Sequence, residues 1–154
     1  MNVTPAQILA ELLEAGSQQS ALQVNTVLQS IWPELHAPQR SHRGTELVAL
    51  FQRAGYVSDS IPQPDTEITV YRGQLVNVHE PGISWTTDFQ VAKRYAQGYA
   101  TVGDAQVVQA IAPSVAVLAR FAPDPEVVVI PTLLRSVEIL GYIPHFTLPR
   151  LAPF

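Results

Sequence analysis

The sequence predicts an α+β fold in which helices come first and strands follow. Residues 1–57 carry apolar side chains at helical spacing, whereas residues 66–154 read as short segments rich in β-branched residues. Helices and strands that are separated along the chain, rather than alternating, are typical of the α+β class. The 154 residues are expected to form a single domain, 1–154, that is long enough to bury a core.

Three helices are predicted in the first part. The first runs from Thr4 to Gly16, since Thr-Pro is a helix-start signal and glycine a stop signal. The second covers residues 20–31 and ends before Pro33, which cannot continue a helix. The third lies at residues 41–54. A loop, rich in proline, serine and aspartate, follows at 58–65.

Short strands dominate from residue 68 onward. The segments share β-branched and apolar residues and are predicted at 68–72, 107–112, 116–121, 126–130 and 136–140. One further helix begins within TTDFQVAKRYA, residues 86–96, where Thr87 and Gln90 have the spacing of a capping box.

Composition excludes several classes of function. The chain has no cysteine, which removes disulfides, thiolate metal sites and a cysteine nucleophile. Its four histidines show no metal-binding spacing, so no metal site is expected. A net charge of −4, with nine Lys plus Arg, argues against nucleic acid as a partner.

No apolar run approaches the roughly 18 residues of a membrane span. The N-terminus also lacks the basic and then apolar pattern of a signal peptide. The sequence therefore predicts a soluble protein, located in the cytoplasm of the producing cell or of a target cell, with no membrane partner.

The first candidate site residue is Arg72, near the end of the strand EITVYRG, residues 67–73. Alternation places its side chain on the apolar face of that strand. A guanidinium on a buried face needs an anionic partner. That partner is either a carboxylate, such as Glu67 or Glu80, or a phosphate group, which a guanidinium binds through two parallel hydrogen bonds.

The stretch GISWTTD, residues 82–88, supplies two hydroxyl groups. In an extended conformation Ser84 and Thr86 face the same way, with Trp85 opposite them. Thr87 is expected to cap the helix that follows. Two hydroxyls on one strand face are common, so this pair alone does not define a site.

Glu126 opens the apolar strand EVVVI and shares its face with Val128 and Ile130. A carboxylate at this point either is the solvated end of a strand or lies at the mouth of a cleft, where it meets a developing positive charge. Glu138, within the last predicted strand, is an alternative acid.

The ordered set Arg72, Ser84-x-Thr86 and Glu126 resembles the arginine–serine–glutamate class of mono-ADP-ribosyltransferases, which includes clostridial-type toxins and many bacterial and phage proteins. The resemblance extends from about residue 68 to residue 139. Its most specific part is GISWTTDFQVAKRYA, in which a Ser-Thr-Ser-like strand leads into a helix of the family's pattern. It implies two packed, mainly antiparallel sheets that form an NAD cleft.

The resemblance also implies how NAD is bound. Arg72 is expected to bind the diphosphate and its ribose, and the backbone of Gly73 to hold the nicotinamide amide. Ser84 and Thr86 are expected to orient the glutamate and to line the nicotinamide ribose. Tyr95, on the following helix, is expected to pack against the nicotinamide.

Glu126 is implied to be the catalytic glutamate, acting with Arg72 and Ser84. Cleavage of the N-glycosidic bond of NAD passes through an oxocarbenium-like state, as glycoside hydrolysis does. Nicotinamide leaves as a neutral molecule and needs no proton, so a single carboxylate suffices. Asp124 occupies the acceptor-binding position that is usually Glu or Gln in family members that modify arginine.

The expected function is therefore NAD-dependent transfer of ADP-ribose to a macromolecular acceptor, as in a bacterial or phage effector that modifies a host protein, with arginine as one acceptor. One alternative is an NAD glycohydrolase that uses water as acceptor, which the shorter Asp124 favours. The other is a non-catalytic interaction protein that keeps the fold and docks through its helical N-terminal third.

Overall fold

The structure is a computed structural model that describes residues 2–15, 18–35, 43–78, 82–122 and 125–146. Its helices are α1 (Pro5–Ala15), α2 (Ala21–Ile31), α3 (Gly44–Ala54) and α4 (Phe89–Tyr99). Its strands are β1 (Val57–Ser58), β2 (Ile68–Leu75), β3 (Ser84–Thr86), β4 (Ala105–Ala112), β5 (Val117–Phe121), β6 (Glu126–Val129) and β7 (Arg135–Ile143). Single 3₁₀ turns occur at Trp32–Glu34, Ser114–Ala116 and Pro131–Leu133. The α+β class is confirmed.

Local hydrogen bonds explain where the helices begin. Ser20 and Gln23 form a complete capping box, in which each side chain accepts a hydrogen bond from the backbone N–H of the other. The cap of α4 differs from the expected one. Asp88, not Thr87, accepts from the backbone N–H of Gln90 at 2.8 Å. The helix begins at Phe89, so Asp88 occupies the N-cap position and Thr87 precedes it, with its backbone N–H donating to the carbonyl of Pro125.

The strands form one seven-stranded sheet in the order β1-β5-β6-β3-β2-β4-β7. Among these described strands, only the β1–β5 pairing is parallel. The expectation of two packed sheets is therefore wrong, because the three-residue β3 pairs with both β6 and β2 and joins all the strands into one sheet. One face of this sheet carries a hydrophobic cluster that contains Val70 of β2, Val108 of β4, Val117 of β5 and Val127 of β6.

Two blocks of helices cover the other face of the sheet. Helices α1–α3 pack on β5 and β6 around the fully buried Trp32 and Phe51. Helix α4 packs on β2 and β4 through Ala92 and Ala96. The central strand β3 lies between the two blocks, so polar side chains on its helix-facing side border a groove.

Strand β7 is one of the two edge strands of the sheet within the described residues, and its side chains from Arg135 to Leu140 are all exposed. Glu138 is among them and lies far from the groove along the strand order. None of the helices in the part of the chain that the structure describes is long and apolar enough to span a membrane.

The contact between β2 and α4 depends on Gly73. A Cβ atom at this position would lie 2.1 Å from the carbonyl oxygen of Ala92 and 2.5 Å from the nitrogen of Ala96. Both are backbone atoms, so the helix itself would have to move.

Replacing Gly73 with alanine is therefore expected to lower the free energy of unfolding by about 1–3 kcal/mol, as overpacking does. Gly98→Ala is the matched control, because Gly98 lies in α4 and a methyl group added there would have no atom within 4 Å. That change is expected to stabilise the protein by up to about 1 kcal/mol, through helix propensity. Urea denaturation measures both. Equal stabilities for Gly73→Ala and the parent would contradict the close packing.

Candidate active site

A row of side chains crosses the centre of the sheet on its helix-facing side. Cα pairing aligns Tyr71 of β2 with Thr86 of β3, and Thr86 with Glu126 of β6. Ser84 shares the face of Thr86 because strand side chains alternate. These residues line a cleft of about 600 Å³ that is bounded by strands β2 and β3, the start of β6 and helix α4. Its volume lies in the range of small-molecule binding sites.

Glu126 is a buried carboxylate, with only 7% of its surface exposed. Its Oε2 atom accepts a hydrogen bond from the Ser84 hydroxyl at 2.5 Å and another from the Trp32 indole Nε1 at 3.0 Å. A buried ionised carboxylate is costly unless hydrogen bonds compensate it. The two donors therefore stabilise the charge and fix the orientation of the carboxylate.

Arg72 reaches the same serine from the other side of the sheet. Its Cα partner in β4 is Val108, which belongs to the cluster on the face opposite the helices. The Arg72 side chain extends to the start of β3, where Nη1 donates to the carbonyl oxygen of Ser84 at 2.6 Å. Its Nε donates to the side-chain oxygen of Gln74, also in β2, at 3.2 Å. Ser84 thus contacts Arg72 through its backbone and Glu126 through its side chain.

Gly82 makes room for this guanidinium. A Cβ atom at Gly82 would lie 2.0 Å from Cζ of Arg72. The absence of a side chain at residue 82 therefore lets the guanidinium lie close to the backbone that leads into β3.

The charge of Arg72 has no carboxylate partner among the residues that the structure describes. Glu67, one of the two expected partners, instead pairs with Arg135 at 2.5 Å, and Glu80 lies outside the described residues. Burial lowers the pKa of Arg72 below its ordinary value, yet an arginine remains protonated at neutral pH. A positive group thus borders the cleft, and an anionic ligand is the partner that suits it.

The remaining predicted residues have different surroundings. Thr86 is buried, and its hydroxyl accepts from the backbone N–H of Asp88 at 3.1 Å, which helps to start α4. Gly73 borders the cleft with its backbone, and Tyr95, a residue that is 52% exposed, also lines it. Asp124, the expected acceptor-binding residue, lies outside the described residues.

Trp32 is the site residue that sequence reasoning missed. It is 94 positions from Glu126, and no local pattern links the end of a helix to a distant carboxylate. The only available signal is physical: a tryptophan that is buried usually finds an acceptor for its N–H group. Tyr71, Arg94 and Tyr99 also line the cleft without having been expected there.

Comparisons with models of protein families, with curated proteins and with solved structures find no match. Within the described ranges, no group of three or more acidic or histidine side chains is placed to hold a metal ion. The charged groups at the cleft are the buried Glu126 carboxylate and the guanidinium groups of Arg72 and Arg94.

Replacing Ser84 with alanine is expected to lower the free energy of unfolding by about 1.5–3 kcal/mol, because the buried Glu126 loses a donor to its charge. Ser60→Ala is the matched control. Ser60 also donates to a carboxylate, that of Asp59, but in an exposed position, so a change within about 0.5 kcal/mol is expected. Chemical denaturation compares the two variants. Similar small effects for both would show that the Ser84–Glu126 contact contributes little.

Proposed function

We propose that this protein is an NAD-dependent mono-ADP-ribosyltransferase that cleaves NAD at the nicotinamide N-glycosidic bond and transfers ADP-ribose to a macromolecular acceptor. The observation that carries the proposal is the position of Ser84, which binds Glu126 through its hydroxyl and Arg72 through its carbonyl. Ser84 and Glu126 are 42 positions apart in the sequence. These hydrogen bonds connect the three residues that resemble the family's motif in one site.

The groups at the cleft suit the parts of NAD. The Arg72 guanidinium has the planar donors that bind a diphosphate in bidentate fashion. The exposed ring of Tyr95 offers an aromatic surface on the cleft wall for the nicotinamide. Glu126 then lies where the nicotinamide ribose is expected, as a hydrogen-bond acceptor for a ribose hydroxyl.

The reaction breaks the bond between the ribose C1′ carbon and the nicotinamide nitrogen. The bonding electron pair goes to the pyridinium nitrogen, so nicotinamide leaves neutral, and positive charge develops on the ribose as in glycoside hydrolysis. The Glu126 carboxylate stabilises that charge. The nucleophilic atom of the acceptor then forms the new bond to C1′ and releases its proton to solvent.

Replacing Glu126 with glutamine is expected to lower the rate of ADP-ribose transfer about 10²–10³-fold, the typical loss when one preorganised electrostatic group is removed. Glu138→Gln is the matched control, because Glu138 is exposed on the edge strand β7 and does not line the cleft. It is expected to keep the parental rate. The measurement is transfer of label from labelled NAD to proteins of a host-cell lysate, with adducts located by mass spectrometry.

Equal labelling by the Glu126→Gln variant and the parent would contradict the role of the Glu126 carboxylate in the reaction. Release of free ADP-ribose without any acceptor would replace the transferase with an NAD glycohydrolase. No NAD turnover, combined with partner binding that survives loss of both Arg72 and Glu126, would replace it with a docking protein.

Replacing Gly82 with alanine is expected to weaken NAD binding about tenfold or more, because the new methyl group displaces the guanidinium that holds the diphosphate. The free energy of unfolding should change little, since the atoms that must move are the end of the flexible Arg72 side chain. Gly103→Ala is the control, with its nearest atom, in Leu75, at an ordinary 3.5 Å. Calorimetric titration with NAD measures the dissociation constants. An unchanged dissociation constant in Gly82→Ala would show that the position of the Arg72 guanidinium does not contribute to NAD binding.

A further inference from the structure

Trp32 links the N-terminal helices to the carboxylate in the cleft. It lies in the 3₁₀ turn that follows α2, and its backbone N–H donates to Leu28, which continues the helical pattern. Its side chain is fully buried and packs edge-to-face on Phe51 of α3, with ring centroids 4.9 Å apart. Two helices therefore hold the indole in one orientation.

The indole N–H is directed at the Oε2 atom of Glu126, which is also the atom that the Ser84 hydroxyl contacts. The two donors come from different layers of the protein, Ser84 from the sheet and Trp32 from the helices. The terminal torsion of a glutamate side chain is intrinsically broad, so each hydrogen bond to the carboxylate narrows its range of orientations. A second donor to the same oxygen narrows that range further.

We propose that Trp32 is a positioning residue for the reaction at Glu126, so that the turn after α2 contributes to the site and is not only a cover for the sheet. The inference rests on the proposed function, which it deepens. Trp32 acts through Glu126 and holds the carboxylate in the orientation that meets the positive charge of the ribose. Misplacement of a reacting group by about 1 Å is enough to reduce rates strongly.

A purely structural role makes a different prediction. If Trp32 only fills the core, a phenylalanine that keeps an aromatic ring beside Phe51 should preserve turnover. If the N–H group matters, the same change removes it while leaving most of the packing, and turnover should fall although the protein stays folded.

The test compares the parent with Trp32→Phe in steady-state NAD turnover. We expect kcat to fall about tenfold or more, with KM for NAD changing less than about threefold, because orientation of the carboxylate is lost and the diphosphate contact is kept. Leu12→Ala is the control for lost packing. Leu12 is a buried α1 residue of the same cluster, and its truncation should lower the unfolding midpoint while leaving kcat unchanged below that midpoint.

A second measurement does not require turnover. In ¹H–¹⁵N spectra of the parent, the two tryptophan indole resonances are assigned with Trp32→Phe and Trp85→Phe. The Trp32 resonance should shift on Glu126→Gln by clearly more than that of Trp85, whose indole donates to the Gly82 carbonyl at 2.8 Å. Absence of such a shift would overturn the proposal, even if Trp32→Phe failed to fold.

The outcomes separate this inference from the proposed function. An active parent with parental kcat in Trp32→Phe overturns the positioning role and leaves the transferase in place. A parent that shows no NAD turnover removes the transferase and the positioning role together. A selective loss of kcat in Trp32→Phe, with the control unaffected, supports both.

Discussion

A buried carboxylate constrains the centre of this structure. Removing an ionised carboxylate from water costs several kcal/mol unless well-placed donors compensate it, and hydrogen bonds to charged groups contribute about 1.5–3 kcal/mol each. Glu126 receives such bonds from Ser84 and Trp32. One donor belongs to β3 and the other to the turn after α2, so the packing of the helices on the sheet and the position of the carboxylate depend on each other.

The cleft beside Glu126 depends on how the helices pack on the sheet. Both blocks of helices lie on one face of the sheet and leave β3 between them, and the absence of a side chain at Gly73 brings α4 close to β2. Arg72 starts from the opposite face and reaches the cleft only because its long side chain bends to the beginning of β3, beside Gly82. The Arg72 guanidinium thus contacts the carbonyl of Ser84, and the Glu126 carboxylate contacts its hydroxyl.

Local patterns in the sequence predicted much of this fold, because periodicity, capping residues and turn residues act over a few positions. The second predicted helix, residues 20–31, agrees with α2 to within a residue. β1 was missed, since two residues carry no periodic signal. The single sheet was missed because strand pairing is a long-range property. The grouping of Arg72, Ser84 and Glu126 was anticipated through a family resemblance, whereas Trp32 depends on tertiary packing that no spacing in the chain encodes.

The most direct measurement of the central claim is a crystal structure of the Glu126→Gln protein with NAD bound, since that change retains the shape of the site. We expect diphosphate oxygens within hydrogen-bond distance of the Arg72 guanidinium, and a hydroxyl of the nicotinamide ribose within hydrogen-bond distance of the residue 126 side chain. NAD bound elsewhere on the protein, or bound in the cleft with its adenosine end at residue 126, would contradict it.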